Sequence, residues 1–106
     1  LMEDRGISVL AAANGPEALR LFREQAATID VVVADLVMPG MSGAELIGEI
    51  LKIRPDLPTI ISSAYVIHDE STELAGQKVD AVIVKPYEAA QLFRKVRQVL
   101  EARRRT

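Results

Sequence analysis

The sequence contains no cysteine and no tryptophan, and its aromatic residues are two tyrosines and two phenylalanines. Without thiols there are no disulfides and no thiolate metal sites. With so few rings, a core must rest on Val, Ile, Leu and Ala. A charge excess of one sign is missing too: 13 basic residues face 15 acidic ones. That balance gives no general attraction to nucleic acid or to a membrane surface. The one local excess, "ARRR" at residues 102–105, reads as a solvated helix end whose cations suit the helix dipole. No apolar run approaches a membrane span and no signal peptide is visible, so a cytoplasmic location is expected. Repeats, linkers and low-complexity stretches are also absent, and 106 residues suit one domain.

What is there alternates. "ISVLAA" (Ile7–Ala12) reads as a short strand after a turn at Gly6. Asn14-Gly15-Pro16 then punctuates the chain, and Pro16 is well placed to open a helix on which Leu19, Phe22 and Ala26 share a face. "DVVVADL" is apolar at both parities, which suits a strand covered on two sides. Ser42 and Glu45 have capping-box spacing, and Leu46, Ile50 and Ile53 form the stripe of the helix behind them. Strands are also predicted at residues 59–64 and 81–85, the latter stopped by Pro86. Between them residues 68–77 are polar and weakly helical, with the single histidine, His68, read as a solvated loop residue. A last helix carries Leu92, Val96 and Val99 or Leu100 at helical spacing. Strand-helix repetition implies parallel strands joined by right-handed crossovers.

In open parallel sheets, ligands bind beyond the carboxyl ends of the strands. Three predicted strands end in reactive or polar residues: Asp35, Ser62-Ser63 and Lys85. Neighbouring strands would gather a carboxylate, a hydroxyl and an ammonium in one basin. A carboxylate can act as a nucleophile that forms an acyl phosphate, and the phosphoryl oxygens need neutralising charge, which Lys85, Ser63 and a hard cation such as Mg²⁺ could share. Taken singly, each has a plainer reading: Asp35 as a cap or turn former, Ser63 as a turn hydroxyl, Lys85 as a surface strand end. Met38 reads as packing, and Phe22 and Phe93 as core.

"DLVMPGMSG" (residues 35–43), "ISSAY" (61–65) and "VKPY" (84–87) resemble the receiver domains of two-component response regulators. The motifs stand in that family's order, with Lys85-Pro86 about fifty residues after Asp35. "RPDLPTIISSAY" with the "KPY" variant looks most like receivers of hybrid sensor kinases. The resemblance implies a flavodoxin-like α/β fold: a parallel sheet of order 2-1-3-4-5 with helices on both faces. It implies that Asp35 accepts a phosphoryl group from a histidine kinase or phosphotransfer protein, that Ser63 takes the switch Ser/Thr position, and that Lys85 pairs with Asp35 or the phosphoryl group. Asp35 and the backbone carbonyl of Val37 would ligate Mg²⁺, Ala64 would let the loop approach the phosphate, and Lys85-Pro86 would be cis. A downstream protein would read the face formed by the fourth helix, fifth strand and last helix. Such a domain is a phosphoacceptor and not an enzyme, with no nucleic-acid or membrane partner of its own.

Two departures stand out. The family's first strand, with its metal-binding acidic pair, is absent, and "LMEDRGISVL" matches the tail of the first helix. Glu3 and Asp4 are expected at the wrong end of the sheet to replace that pair. Residues 1–106 are therefore expected to be an N-terminally incomplete receiver, a fragment of a longer protein. Otherwise the strands at Ile7 and Val31 would close up side by side, with one sheet face covered by the last helix alone and apolar surface left bare. The second departure is Val82, where many receivers carry a rotating ring; Tyr87 is either a contributor to the output face or a half-buried ring on the last helix. Loss of the metal site leaves open a phosphorylation-independent protein-interaction module. A haloacid-dehalogenase-like hydrolase would want a second Asp where Val37 stands.

Overall fold

Strand and helix alternate in the computed structural model as the hydrophobic pattern requires, over the described residues 2–64, 73–74 and 77–104. Tyr65, His68, most of the polar segment at 68–77 and Arg105 lie outside the described residues. The chain opens with β1 (Met2–Asp4), β2 (Ile7–Ala12), α1 (Gly15–Gln25) and β3 (Val31–Asp35). It continues with α2 (Gly43–Ile53), β4 (Thr59–Ser63), the two-residue strands β5 (Glu73–Leu74) and β6 (Gln77–Lys78), β7 (Ala81–Val84) and α3 (Ala89–Arg104). One sheet runs β1-β2-β3-β4-β7, with β2, β3, β4 and β7 parallel and β1 antiparallel at the edge.

Local chemistry starts each helix. The Asn14 side chain accepts from the Glu17 N–H at 3.1 Å, and Pro16 lies in the first turn of α1. Ser42 Oγ accepts from the Glu45 N–H at 3.1 Å and donates to the Glu45 carboxylate at 3.4 Å. Alternation then divides the strands between two cores. Leu10, Ala12, Val32, Ala34 and Ile61 pack against Leu19 and Phe22 of α1 and Leu46, Ile47 and Ile50 of α2. Val9, Val31, Val33, Ile60 and Ile83 pack against Leu92, Val96 and Val99 of α3. Each fully buried side chain of this size contributes about 1.5–3 kcal/mol. Burial on both faces is why the β3 segment is apolar at both parities.

The amino ends of the strands are closed by carboxylates that accept from backbone N–H groups. Asp30 takes the Ser8 N–H at 2.7 Å, and Asp80 takes the Thr59 N–H at 2.8 Å. Arg103, near the end of α3, grips Asp80 with a two-pronged fork at 2.9 and 2.8 Å and donates to the Asp56 carbonyl at 2.7 Å. That hydrogen bond to Asp80, followed by the attraction of Asp80 and Asp56, holds the guanidinium above its ordinary pKa against the opposing pull of burial. Arg103 is thus a clamp for the last helix, where the sequence suggested only a solvated basic end.

Four expectations are corrected. The start of the chain is not a helix tail: Met2–Asp4 pairs antiparallel with β2 across Arg5-Gly6. Both turn residues have positive φ, 51° and 83°, the combination that suits a two-residue hairpin turn. β2 and β3 are direct neighbours, with Ala12 opposite Ala34, so the strands close up side by side. The face covered only by α3 is not bare, since Val9, Val31 and Ile60 are fully buried and Met2, Ile7, Phe93 and Leu100 pack over them. Ile53 does not belong to the buried stripe of α2: it is the last residue of the helix and is 42% exposed. In the polar segment the described residues form a short antiparallel pair, β5 with β6, in place of a helix. Glu3 and Asp4 do sit opposite Ser8 and Ile7, towards the amino end of β2.

Candidate functional site

Asp35 is the last residue of β3. Four buried residues precede it, and the sheet ladder runs one step past it through a bond from the Leu36 N–H to the Ser62 carbonyl at 2.8 Å. The loop after Leu36 returns at once, for the Gly43 N–H bonds the Leu36 carbonyl at 3.1 Å. Gly43 must lack a side chain: a Cβ there would run into the Asp35 carbonyl oxygen and come within 3.0 Å of Ile61 Cδ1. The start of α2 is thereby wedged beneath Asp35.

Lys85 arrives from β7, where the ladder likewise extends one step, through its N–H to the Ser63 carbonyl at 2.7 Å. Its Nζ lies 3.0 Å from Asp35 Oδ2, with side chains 43% and 25% exposed. The Lys85-Pro86 peptide is cis, as the resemblance implied. Ser63, 2% exposed, and Ala64 join Asp35, Val37 and Lys85 in the wall of a depression of about 80 Å³. The structure therefore brings the carboxylate and ammonium into contact and sets Ser63 beside them. Val37 turns its side chain to solvent at 80% exposure, leaving the backbone as its contribution to the site.

Such a basin can bind a small tetrahedral anion beside a carboxylate nucleophile, with one cation facing both. It is a poor match for a preformed Mg²⁺ site. Mg²⁺ wants hard oxygen ligands in near-octahedral array. Here the donors are the Asp35 carboxylate, one oxygen of which already meets Lys85, and the Val37 carbonyl. The adjacent tip of β2 offers Ala12, Ala13 and Asn14, and the Asn14 side chain caps α1. Among the described residues no group of three or more His, Asp or Glu side chains could hold a metal.

Sequence reasoning missed one feature of the site. The Ser62 hydroxyl, on the α3 side of β4, shares a hydrogen bond with the Tyr87 hydroxyl at 3.2 Å. Alternation alone separates Ser62 from Ser63, but nothing local in the sequence names its partner. Tyr87 is partly buried against the α3-side core, so of the two readings the packed ring is the observed one. Val82, the other departure, packs against the α1–α2 core. Among the described residues no helix is long and apolar enough to cross a membrane.

A model of the family described as "Response regulator receiver domain" matches residues 1–97. A sensor kinase of Brucella abortus, CckA, is 35% identical over 100 residues, which cover 94% of this chain and 11% of the kinase. The likeness to a receiver carried by a sensor kinase thus holds, though the chain spans only a small part of that relative. Among solved structures, one chain of the CheX-CheY-BeF3-Mg²⁺ complex of Borrelia burgdorferi superposes with a TM-score of 0.72 at 27% identity, covering 84% of this chain and 66% of that one. A chain from the complex of histidine kinase ThkA with response regulator TrrA, the latter from Thermotoga maritima, superposes with a TM-score of 0.65 at 35% identity, over 84% of this chain and 73% of that one. The flavodoxin-like fold class holds, with β2 and β3 in direct contact in this chain.

Proposed function

Since this chain belongs to the response regulator receiver domain family, we propose that Asp35 accepts a phosphoryl group from a histidine kinase or phosphotransfer protein and that a downstream protein reads the result. The carrying observation is Lys85 Nζ at 3.0 Å from Asp35 Oδ2, at the carboxyl ends of the strands. An Asp35 oxygen forms the new O–P bond as the P–N bond to the donor imidazole breaks. The bonding pair leaves on the ring nitrogen, which then takes up a proton. Lys85 neutralises charge on the transferred group, and Ser63 donates its hydroxyl to it. The product carries about −1.5 to −2 in charge, enough to draw Ser63 and Lys85 inward and shift the segments after β4 and β7. A cytoplasmic protein partner then reads the altered face of β7 and α3. The domain is an acceptor and not an enzyme; it uses no nucleic acid or membrane of its own. No step here is routed through Mg²⁺, for which the donor set is short.

That shortage favours one second reading, a phosphorylation-independent interaction module of the same fold. The test is incubation of the full chain with acetyl phosphate and Mg²⁺, followed by intact mass measurement. A gain of one phosphoryl group, lost in Asp35→Asn, supports the acceptor reading. Labelling that persists in Asp35→Asn refutes the choice of Asp35, and an unlabelled parent chain leaves the interaction module.

A further inference from the structure

A closed ring of contacts passes through the strand tips. Lys85 meets Asp35 at 3.0 Å. The next residue, Leu36, bonds the Ser62 carbonyl at 2.8 Å. Ser62 Oγ meets the Tyr87 hydroxyl at 3.2 Å, and Tyr87 follows Lys85 by two residues. The Ser62–Tyr87 link is the one that a single oxygen atom can remove without touching the backbone or the ion pair.

We propose that Tyr87 is a positioning residue, whose hydroxyl, tied to Ser62, holds the segment that aims Lys85 at Asp35. The part this plays in phosphoryl transfer rests on Asp35 being the acceptor; the geometric claim does not. Lys85 is 43% exposed and carries a flexible four-carbon stem, so its ammonium finds Asp35 only if its backbone is well held. On its amino side the bond to the Ser63 carbonyl holds it. On its carboxyl side the chain leaves the sheet, and Tyr87 is the next residue with a bond back into it. Ser62 is 1% exposed, so its hydroxyl has no water to turn to and does not readily give up the phenol. The Tyr87 ring packs against the α3-side core by itself, so phenylalanine keeps the packing and removes only the bond. Both neighbouring serines line the basin, and the Ser62 hydroxyl also anchors the strap that carries the cation.

The test uses the full chain with the substitutions Tyr87→Phe, Ser62→Ala and both together, each first checked for folding by circular dichroism and thermal melting. Trace acetic anhydride labels lysines in competition, and mass spectrometry reads Lys85 against Lys52, which pairs with Glu49 on α2 at 3.2 Å. Each single substitution is expected to raise Lys85 labelling about fivefold, what one net neutral hydrogen bond supplies, with Lys52 unchanged. The double variant is expected to go no further than either single one, because both remove the same bond. Unchanged Lys85 reactivity in a folded Tyr87→Phe or Ser62→Ala chain overturns the proposal, and so do effects that add. A parallel measurement of acetyl phosphate labelling separates the two claims. A wild-type chain that takes no phosphate but shows the Lys85 effect leaves the positioning claim standing and removes Asp35 as acceptor. A wild-type chain that is phosphorylated no faster than Tyr87→Phe overturns the role of Tyr87 in transfer.

Discussion

Replacing Lys85 with methionine removes the charge and keeps most of the stem. At 3.0 Å from Asp35, two unit charges interact by about 5.5 kcal/mol at an effective dielectric constant of 20 and by about 1.4 kcal/mol in bulk water. With 43% of the Lys85 side chain and 25% of the Asp35 side chain exposed, the pair lies nearer the water limit. A contact of the same strength gained by Lys85 on the transferred group only in the transition state is worth about 1–2 kcal/mol, roughly a tenfold change in rate. Lys85→Met is therefore expected to slow phosphoryl transfer from acetyl phosphate to Asp35 about tenfold, followed as mass gain against time. Its melting temperature should fall by less than about 8 °C, because an exposed ion pair is worth at most about 1 kcal/mol in the ground state. Lys85→Arg restores the charge and should recover part of the rate. Equal transfer rates in Lys85→Met and the parent chain would refute the electrostatic role given to this residue.

Other consequences follow from the packing. Gly43→Ala forces a methyl group into the Asp35 carbonyl oxygen, a backbone atom that cannot step aside. Overpacking of that kind costs about 1–3 kcal/mol, so the melting temperature should drop by roughly 10 °C, and a chain that melts unchanged contradicts the wedge beneath Asp35. Arg103→Ala removes the fork onto Asp80 and the bond to the Asp56 carbonyl. With Asp80 still bonded to the Thr59 N–H, the loss should be about 1–2 kcal/mol, read from the midpoint of urea unfolding. Calorimetric titration of the chain with Mg²⁺ to low millimolar concentration should show no saturable binding; a clear site would contradict the donor-set argument.

Much of this protein is legible in short stretches. Ser42 caps α2 where its spacing to Glu45 indicated, and Pro16 lies in the first turn of α1 as its position suggested. The apolar run at 31–34 is a strand buried on both faces, and it delivers Asp35 to a site shared with Lys85. Other local signals were overridden or misjudged. Ile53 continued the apolar period of α2 but, as the last residue of the helix, is left 42% exposed. Met2–Asp4 lacked any strand signature of its own and became one because Arg5-Gly6 folded it onto β2.

The sequence by itself determined the order of the four parallel strands and three helices, the Ser42 cap, and the three residues offered at the strand tips. Those follow from forces that act within a few residues: apolar period, side-chain capping and turn geometry. Only the tertiary structure decided that β2 lies directly against β3, that Ser62 bonds Tyr87 and that Arg103 clamps Asp80. These pairings join residues far apart in the chain, and burial selects them only once the sheet and its two cores exist.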